Sequence, residues 1–73
     1  MILTWHLIEQ RMDPPTGGEC SECQCDQHPR VSRLTQRPNR DAEWITTYEV
    51  AGIAAQHYAS AAEALAAMRS NPR

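Results

Sequence analysis

Apolar side chains recur along residues 2–11 in the alternating way that is typical of a β-strand. One face would carry Leu3, Trp5 and Leu7. The other would carry Ile2, Thr4, His6 and Ile8. Because both faces hold apolar residues, the pattern favours a central strand covered on each side over an exposed edge. Two prolines and two glycines within residues 12–18 end this strand and begin a loop.

The C-terminal half contains a β-hairpin pattern. Residues 44–50 are rich in β-branched and aromatic side chains, and Ala51-Gly52 forms a turn before residues 53–58. If Val50 lies opposite Ile53, one face of the hairpin becomes the predicted core face. Its members are Trp44, Thr46, Tyr48, Val50, Ile53, Ala55 and His57.

A helix is predicted from about Ala61 to Arg69. Ser60 and Glu63 have the capping-box spacing, in which each side chain bonds the backbone amide of the other residue. Alanine favours the helix, and Asn71-Pro72 ends it. One helical face would carry Tyr58, Ala61 or Ala62, Leu65 and Met68.

These elements predict a single small α+β domain over residues 1–73. Its antiparallel sheet would have three or four strands, with one C-terminal helix and a zinc-binding loop after the first strand. The zinc loop spans about 13–29, and the β-hairpin with its helix spans about 43–70. Residues 31–35 form a further short strand, and an edge strand near Val31 offers pairing to another copy or to a target sheet.

The loop holds all three cysteines and one histidine within nine residues. Cys-x-x-Cys is the common zinc half-site, and three thiolates with one imidazole complete a tetrahedral structural site. The predicted zinc ligands are Cys20, Cys23, Cys25 and His28. The fourth ligand has substitutes in His57, His6, Asp26 or a residue of a partner chain. Free thiols, one disulfide, or an iron-sulfur or redox role are the other interpretations, and the odd cysteine count disfavours a disulfide framework.

The composition gives such a metal a structural purpose. The chain has 73 residues, and its 41% hydrophobic content includes ten alanines and no phenylalanine. A domain of this size hides only about 60% of the surface that its unfolded chain exposes. A structural zinc contributes roughly 10 to 16 kcal/mol in zinc-finger peptides, so the ion would stabilise a thin core.

Charge falls into two blocks along the chain. Residues 9–26 carry five acids and one base, whereas residues 27–40 carry four arginines and no acid. The arginines are candidate contacts to a protein partner or to phosphates: Arg30, Arg33, Arg37 and Arg40. A net charge of −2 and the lack of an aromatic residue within 27–40 make nucleic-acid binding the alternative rather than the leading hypothesis.

The sequence favours a binding role over catalysis. A catalytic zinc keeps one coordination position for water, whereas four protein ligands close the site, and a thioredoxin-like redox pair needs a βαβ pattern. The first residues lack a signal-peptide pattern and no apolar run is long enough to span a membrane, so we expect a reducing, cytoplasmic setting.

The leading hypothesis is a non-catalytic, zinc-stabilised protein-binding module. It would be a small accessory protein of a phage or mobile element that docks on a larger host protein and inhibits it. The alternative is a nucleic-acid-binding zinc-knuckle protein that uses the arginines of residues 30–40 for phosphates.

Overall fold

The computed structural model describes residues 2–70, apart from the side chains of residues 54 and 55. The elements are β1 (Trp5–Asp13), β2 (Gly18–Cys25), β3 (Val31–Arg37), β4 (Ile45–Val50), β5 (Ile53–Tyr58) and α1 (Ala61–Ser70). The strands form one antiparallel sheet in the order β1-β2-β3-β4-β5. The predicted α+β domain, a small antiparallel sheet with one C-terminal helix, is confirmed, and the sheet has five strands.

Residues 18–25 of the predicted zinc loop, which spans about 13–29, form strand β2. A turn at 14–17 joins β1 to β2, where Gly17 has a φ of 74° and its amide donates to the Asp13 carbonyl at 2.7 Å. A Cβ atom on Gly17 would lie 2.6 Å from the Arg40 side chain, so this position requires glycine. Strands β1 and β3 supply backbone partners on both sides of β2. The described residues therefore show no zinc-binding loop after β1.

The position of β2 also corrects two predicted strand positions. β1 lies at one edge of the sheet, not in its centre, and is exposed along nearly all of its length. β3 lies in the centre of the sheet, whereas the sequence predicts an edge strand near Val31. β1 pairs with β2 alone, whereas β3 pairs with β2 on one side and with β4 on the other.

The predicted hairpin is confirmed as β4 and β5. Val50 lies opposite Ile53, and Gly52 in the intervening turn has a φ of 92°. Beyond this pair the register shifts, so that Tyr48 lies opposite Tyr58. A regular register would have placed Tyr48 opposite residue 55, three positions earlier.

This odd shift moves His57 away from the predicted core face, because successive strand residues point to opposite faces. His57 instead lies beside Thr47 and Glu49. Its Nδ1 atom is 3.5 Å from the Thr47 hydroxyl, and its Nε2 atom is 3.3 Å from the Glu49 carboxylate. The predicted place of His57 on the core face with Tyr48 is therefore wrong.

The helix begins with the predicted cap. The Glu63 amide donates to Ser60 Oγ at 3.2 Å. The Glu63 carboxylate accepts from the amide of Ala59 at 2.9 Å, one residue before the predicted donor. The predicted end signal at residues 71–72 lies outside the described residues.

The core lies under the helix, at one end of the sheet. α1 packs across β3, β4 and β5. The buried members of the core are Cys25, Val31, Val50, Ala64 and Leu65, and partly buried apolar residues surround them. The molecule measures 42 × 22 × 19 Å, and its radius of gyration is 13.2 Å, against about 11 Å for a compact domain of this length. The sheet therefore extends well beyond the helix that covers it.

Candidate binding surface

The helix-side face of the sheet continues beyond α1 over β1, β2 and the distal half of β3. We call this uncovered part the open face. Strand register and side-chain alternation assign its members. They are Leu7, Gln10, Met12, Glu19, Ser21, Cys23, Arg33, Thr35, Arg37, Trp44 and Thr46.

Three large apolar side chains of the open face are exposed. Leu7 is 55% exposed, Met12 is 66% exposed and Trp44 is 47% exposed. The hairpin pattern predicts Trp44 on the core face, so its exposure is a correction. The apolar alternation of the first predicted strand includes Leu7. Met12 falls in a predicted loop, so nothing in the sequence pattern assigns it to a sheet face. Their shared position on one uncovered sheet face makes this face a candidate interaction site.

A row of four side chains crosses the distal end of the open face. Met12 lies opposite Glu19, and Glu19 lies opposite Arg37. The Arg37 guanidinium then lies over the ring of Trp44, 4.5 Å from its centroid. A shallow depression of about 300 Å³ opens beside this row, against Met12, Glu19 and Arg37. The row thus places an apolar side chain, an acid, a base and an aromatic ring side by side.

The pair at the centre of this row is well screened from water. Arg37 donates from Nε and Nη2 to the same Glu19 oxygen at 2.9 and 2.5 Å, and both side chains are 23% exposed. Arg37 also donates from Nη1 to the Arg40 carbonyl at 3.2 Å. Charge-assisted bonds of this kind fix the guanidinium plane and hold it against Trp44.

A second arginine lies on an aromatic ring nearer the helix. The Arg33 guanidinium is 5.0 Å from the ring centroid of Trp5. Trp5 in turn contacts Tyr48, with the ring centroids 5.8 Å apart and the planes tilted by 52°. Trp5 and Tyr48 also pack against the core, so this stack links the open face to the helix end of the sheet.

The other two predicted contact arginines lie elsewhere. Arg30 donates from Nε and Nη2 to the Ala51 carbonyl at 3.2 and 2.9 Å, beside the β4–β5 turn. Arg40 donates from Nη2 to the Pro14 carbonyl at 3.2 Å, beside the β1–β2 turn. These turns lie at opposite ends of β3. The fold therefore brings together Arg33 and Arg37 on the open face, and does not gather all four arginines in one patch.

The predicted zinc ligands are divided between two sides of the sheet. Cys20 and Cys23 are an odd number of residues apart in β2, so they point to opposite faces. Cys25 shares a face with Cys23 but is fully buried in the core. Within residues 2–70, no group of three His, Cys, Asp or Glu side chains is arranged to hold a metal ion. The cysteines do not fit one tetrahedral site in this arrangement.

His28, the predicted fourth ligand, lies in the turn between β2 and β3. Its carbonyl accepts from the Val31 amide at 2.8 Å. Its Nε2 atom is buried and has no hydrogen-bond partner among the described residues. A buried ring nitrogen without a hydrogen-bond partner reduces the stability of the folded state.

The two other histidines named as substitute ligands have partners. His57 lies beside Glu49, as described above. The Nδ1 atom of His6 lies 2.5 Å from the Asp26 carboxylate, and it is the donor because a carboxylate can only accept. The Thr4 hydroxyl donates to the same carboxylate at 2.9 Å. These two bonds, with that of His6 the stronger influence, hold the pKa of Asp26 below its ordinary value.

The face opposite the helix is rich in acids. Glu9 lies opposite Glu22 across β1 and β2, which brings two like charges together. Arg11 relieves this repulsion, since its Nε atom donates to the Glu9 carboxylate at 2.6 Å. The same bond lowers the pKa of Glu9 and raises that of Arg11. The antiparallel register thus separates an acidic face from the aromatic and arginine-bearing open face.

Comparison with known families, with curated proteins and with solved structures finds no match for this chain. The ten residues of α1, the one helix among the described residues, are too few to cross a membrane.

Proposed function

We propose that this protein is a non-catalytic protein-binding module that docks on a larger protein through the open face. The observation that carries the proposal is the exposure of Leu7, Met12 and Trp44 around an uncovered sheet face. Tryptophan, methionine and arginine are enriched at protein interfaces, and isolated charges are depleted from interface centres. The open face has this composition.

Its charges also suit a protein partner. The Glu19–Arg37 pair is already neutralised and partly desolvated, so its burial would leave no new unpaired charge. Thr35 and Thr46 share a hydroxyl contact of 3.4 Å and still carry acceptor capacity for a partner. Inhibition of the bound protein, and an origin in a phage or mobile element, stay predictions from the sequence.

Affinity capture from cells that carry the gene tests the proposal with three variants. Leu7→Ser and Trp44→Ala change the open face. Ile45→Ser is the matched control, because Ile45 is also 55% exposed and its register position places it on the opposite face. A partner protein should be captured by the unchanged protein and by Ile45→Ser, and lost with the two open-face variants. Equal capture by all four proteins would contradict the proposal.

Nucleic-acid binding is the second candidate, and one observation favours it. The fold brings Trp5 and Trp44 beside Arg33 and Arg37, although the segment 27–40 itself has no aromatic residue. Aromatic rings and guanidinium planes are the groups on which unpaired bases stack.

Tryptophan fluorescence during titration with a single-stranded oligonucleotide decides this candidate. Binding through the arginines would change the fluorescence at low salt and weaken steeply as salt rises. A flat titration at low salt, together with a protein capture that survives nuclease treatment, would remove nucleic-acid binding.

A further inference from the structure

The outer side of β1 forms one edge of the sheet. β1 pairs with β2 along its inner side, and its nine residues are exposed nearly throughout. Leu7, Ile8 and Met12 are among the exposed large apolar residues of the molecule. The backbone donors and acceptors along such an edge point outward and can pair with another strand. A long edge that carries three exposed apolar side chains is a candidate for strand pairing.

The sequence of this edge is complementary to itself. Residues 8–12 read Ile-Glu-Gln-Arg-Met. When two copies lie antiparallel with a two-fold axis at Gln10, each Glu9 lies opposite Arg11 of the second copy. Each Ile8 then lies opposite Met12 of the second copy. Both kinds of pair favour association, because opposite charges and apolar side chains stabilise cross-strand neighbours.

The charges also exclude the two neighbouring registers. An axis at Glu9 would place two glutamates opposite each other, and an axis at Arg11 would place two arginines opposite each other. Like charges directly across a strand pair are destabilising. An axis at Gln10 avoids both conflicts and adds to the Glu9–Arg11 pair that each chain already forms at 2.6 Å.

We propose that the protein forms a symmetric dimer through the β1 edges, with the axis at Gln10. Charges and bulges usually protect an edge strand from pairing. Here the charges match across the axis, and the bulge between Leu7 and Glu9 lies at the margin of the paired segment. The bulge limits the contact to about five residues of each copy, so the dimer is weak and forms at high protein concentration.

The dimer would double the binding surface. A two-fold axis perpendicular to the sheet keeps the helix of each copy on the same side. The two open faces then join into one surface, with Leu7 and Met12 of both copies at its centre. The dimer forms through the edge of β1 and does not depend on the proposed function, since a monomer can also bind a partner through its open face.

Sedimentation velocity across roughly 1 µM to 1 mM tests the dimer. We expect the mass to rise with concentration from 8.2 kDa toward twice that value. Arg11→Glu and Glu9→Arg should each weaken the dimer about tenfold, because each brings like charges into opposition. The double variant with both changes should recover the affinity of the unchanged protein. Glu43→Arg is the control, with the same change of charge at an exposed position outside the strands.

Amide hydrogen exchange of the unchanged protein gives a second measurement that needs no variant. The outward amides of residues 9–12 should be protected at high concentration and exchange faster on dilution. A monomeric mass up to about 1 mM, or a dimer that both single variants leave unchanged, overturns the proposal. If Trp44→Ala abolishes partner capture while the dimer persists, the dimer contact and the partner-binding surface are two distinct sites.

Discussion

The guanidinium carbon of Arg37 lies over the ring of Trp44, 4.5 Å from the ring centroid. The two residues are seven positions apart in the sequence, across the β3–β4 connection. The Glu19 carboxylate accepts two hydrogen bonds from the same guanidinium. Three segments of the chain therefore meet around the Arg37 guanidinium. This contact lies at the distal end of the open face, away from the helix.

Loss of Arg37 should destabilise the protein. Arg37→Ala removes a charge-assisted pair that is 23% exposed on both sides, together with the contact to Trp44, and we expect a loss of about 1 to 2 kcal/mol. Urea unfolding followed by circular dichroism measures the change. Arg11→Ala breaks a far more exposed pair with Glu9 and should have much less effect. Equal losses would show that the Glu19–Arg37 pair and its contact to Trp44 stabilise the fold no more than the exposed Glu9–Arg11 pair does.

The cysteines should differ in their effect on stability. Cys25→Ser places a hydroxyl in the core and should cost about 1 to 3 kcal/mol. Cys20 lies on the opposite face of β2 and is only partly buried, so Cys20→Ser should change the free energy of unfolding little. Shared ligation of one zinc ion would instead make the two losses equally large. Thermal unfolding of both variants distinguishes a core cysteine from a ligand.

Metal content can be measured directly by native mass spectrometry of protein purified without added zinc. With the thiols divided between two faces of β2, we expect the mass of the metal-free chain and a melting temperature that is indifferent to a chelator. A bound zinc and a lower melting temperature after chelation would show that the predicted zinc loop, about 13–29, forms instead.

Acidification should weaken the folded state through Asp26. Its pKa in the folded protein lies below the ordinary value of 3.8, so ionisation of this carboxylate favours the folded state. The contribution is fully present above about pH 4 and disappears as the pH falls through the lowered pKa. Asp26→Asn should reduce stability at neutral pH and flatten this acid-dependent loss.

Urea titrations at neutral pH and at about pH 3 measure that effect. Asp41→Asn, an exposed aspartate in the β3–β4 connection, is the matched control. An identical acid dependence for the Asp26 variant and the unchanged protein would mean that the bonds from His6 and Thr4 do not stabilise the fold.

The helix cap gives another stability test. Ser60→Ala removes the acceptor of the Glu63 amide and should cost about 1 kcal/mol. Ser70→Ala at the other end of the same helix should change stability by less than about 0.5 kcal/mol. Chemical unfolding of both variants compares them. A larger loss at Ser70 would place the important contact at the C-terminal end.

The hairpin and the helix could be predicted because their signals are local. Gly52 supplies the positive φ that the turn requires, and Ser60 and Glu63 are only three residues apart. The face of His57 could not be predicted in this way, since no local sequence signal marks the register shift between Tyr48 and Val50.

Strand β2 was missed for a different reason. Its glutamates, glutamine and serine have little intrinsic preference for a strand, and its cysteines resemble a metal motif. The extended conformation comes from pairing with β1 on one side and β3 on the other, and not from the residues of β2 alone. The open face was missed for the same reason, because Glu19, Arg37 and Trp44 meet only once β2 lies between β1 and β3.

The position of the core at one end of the sheet divides the molecule into parts of unequal local stability. Residues near Val31 and Leu65 are held by buried contacts, so their amides should exchange only on global unfolding. The distal parts of β1 and β2 depend on backbone pairing and surface contacts, so they can open while the core stays intact. A ligand on the open face would suppress this local opening first, which makes amide protection in β1 a more sensitive reporter of occupancy than the melting temperature.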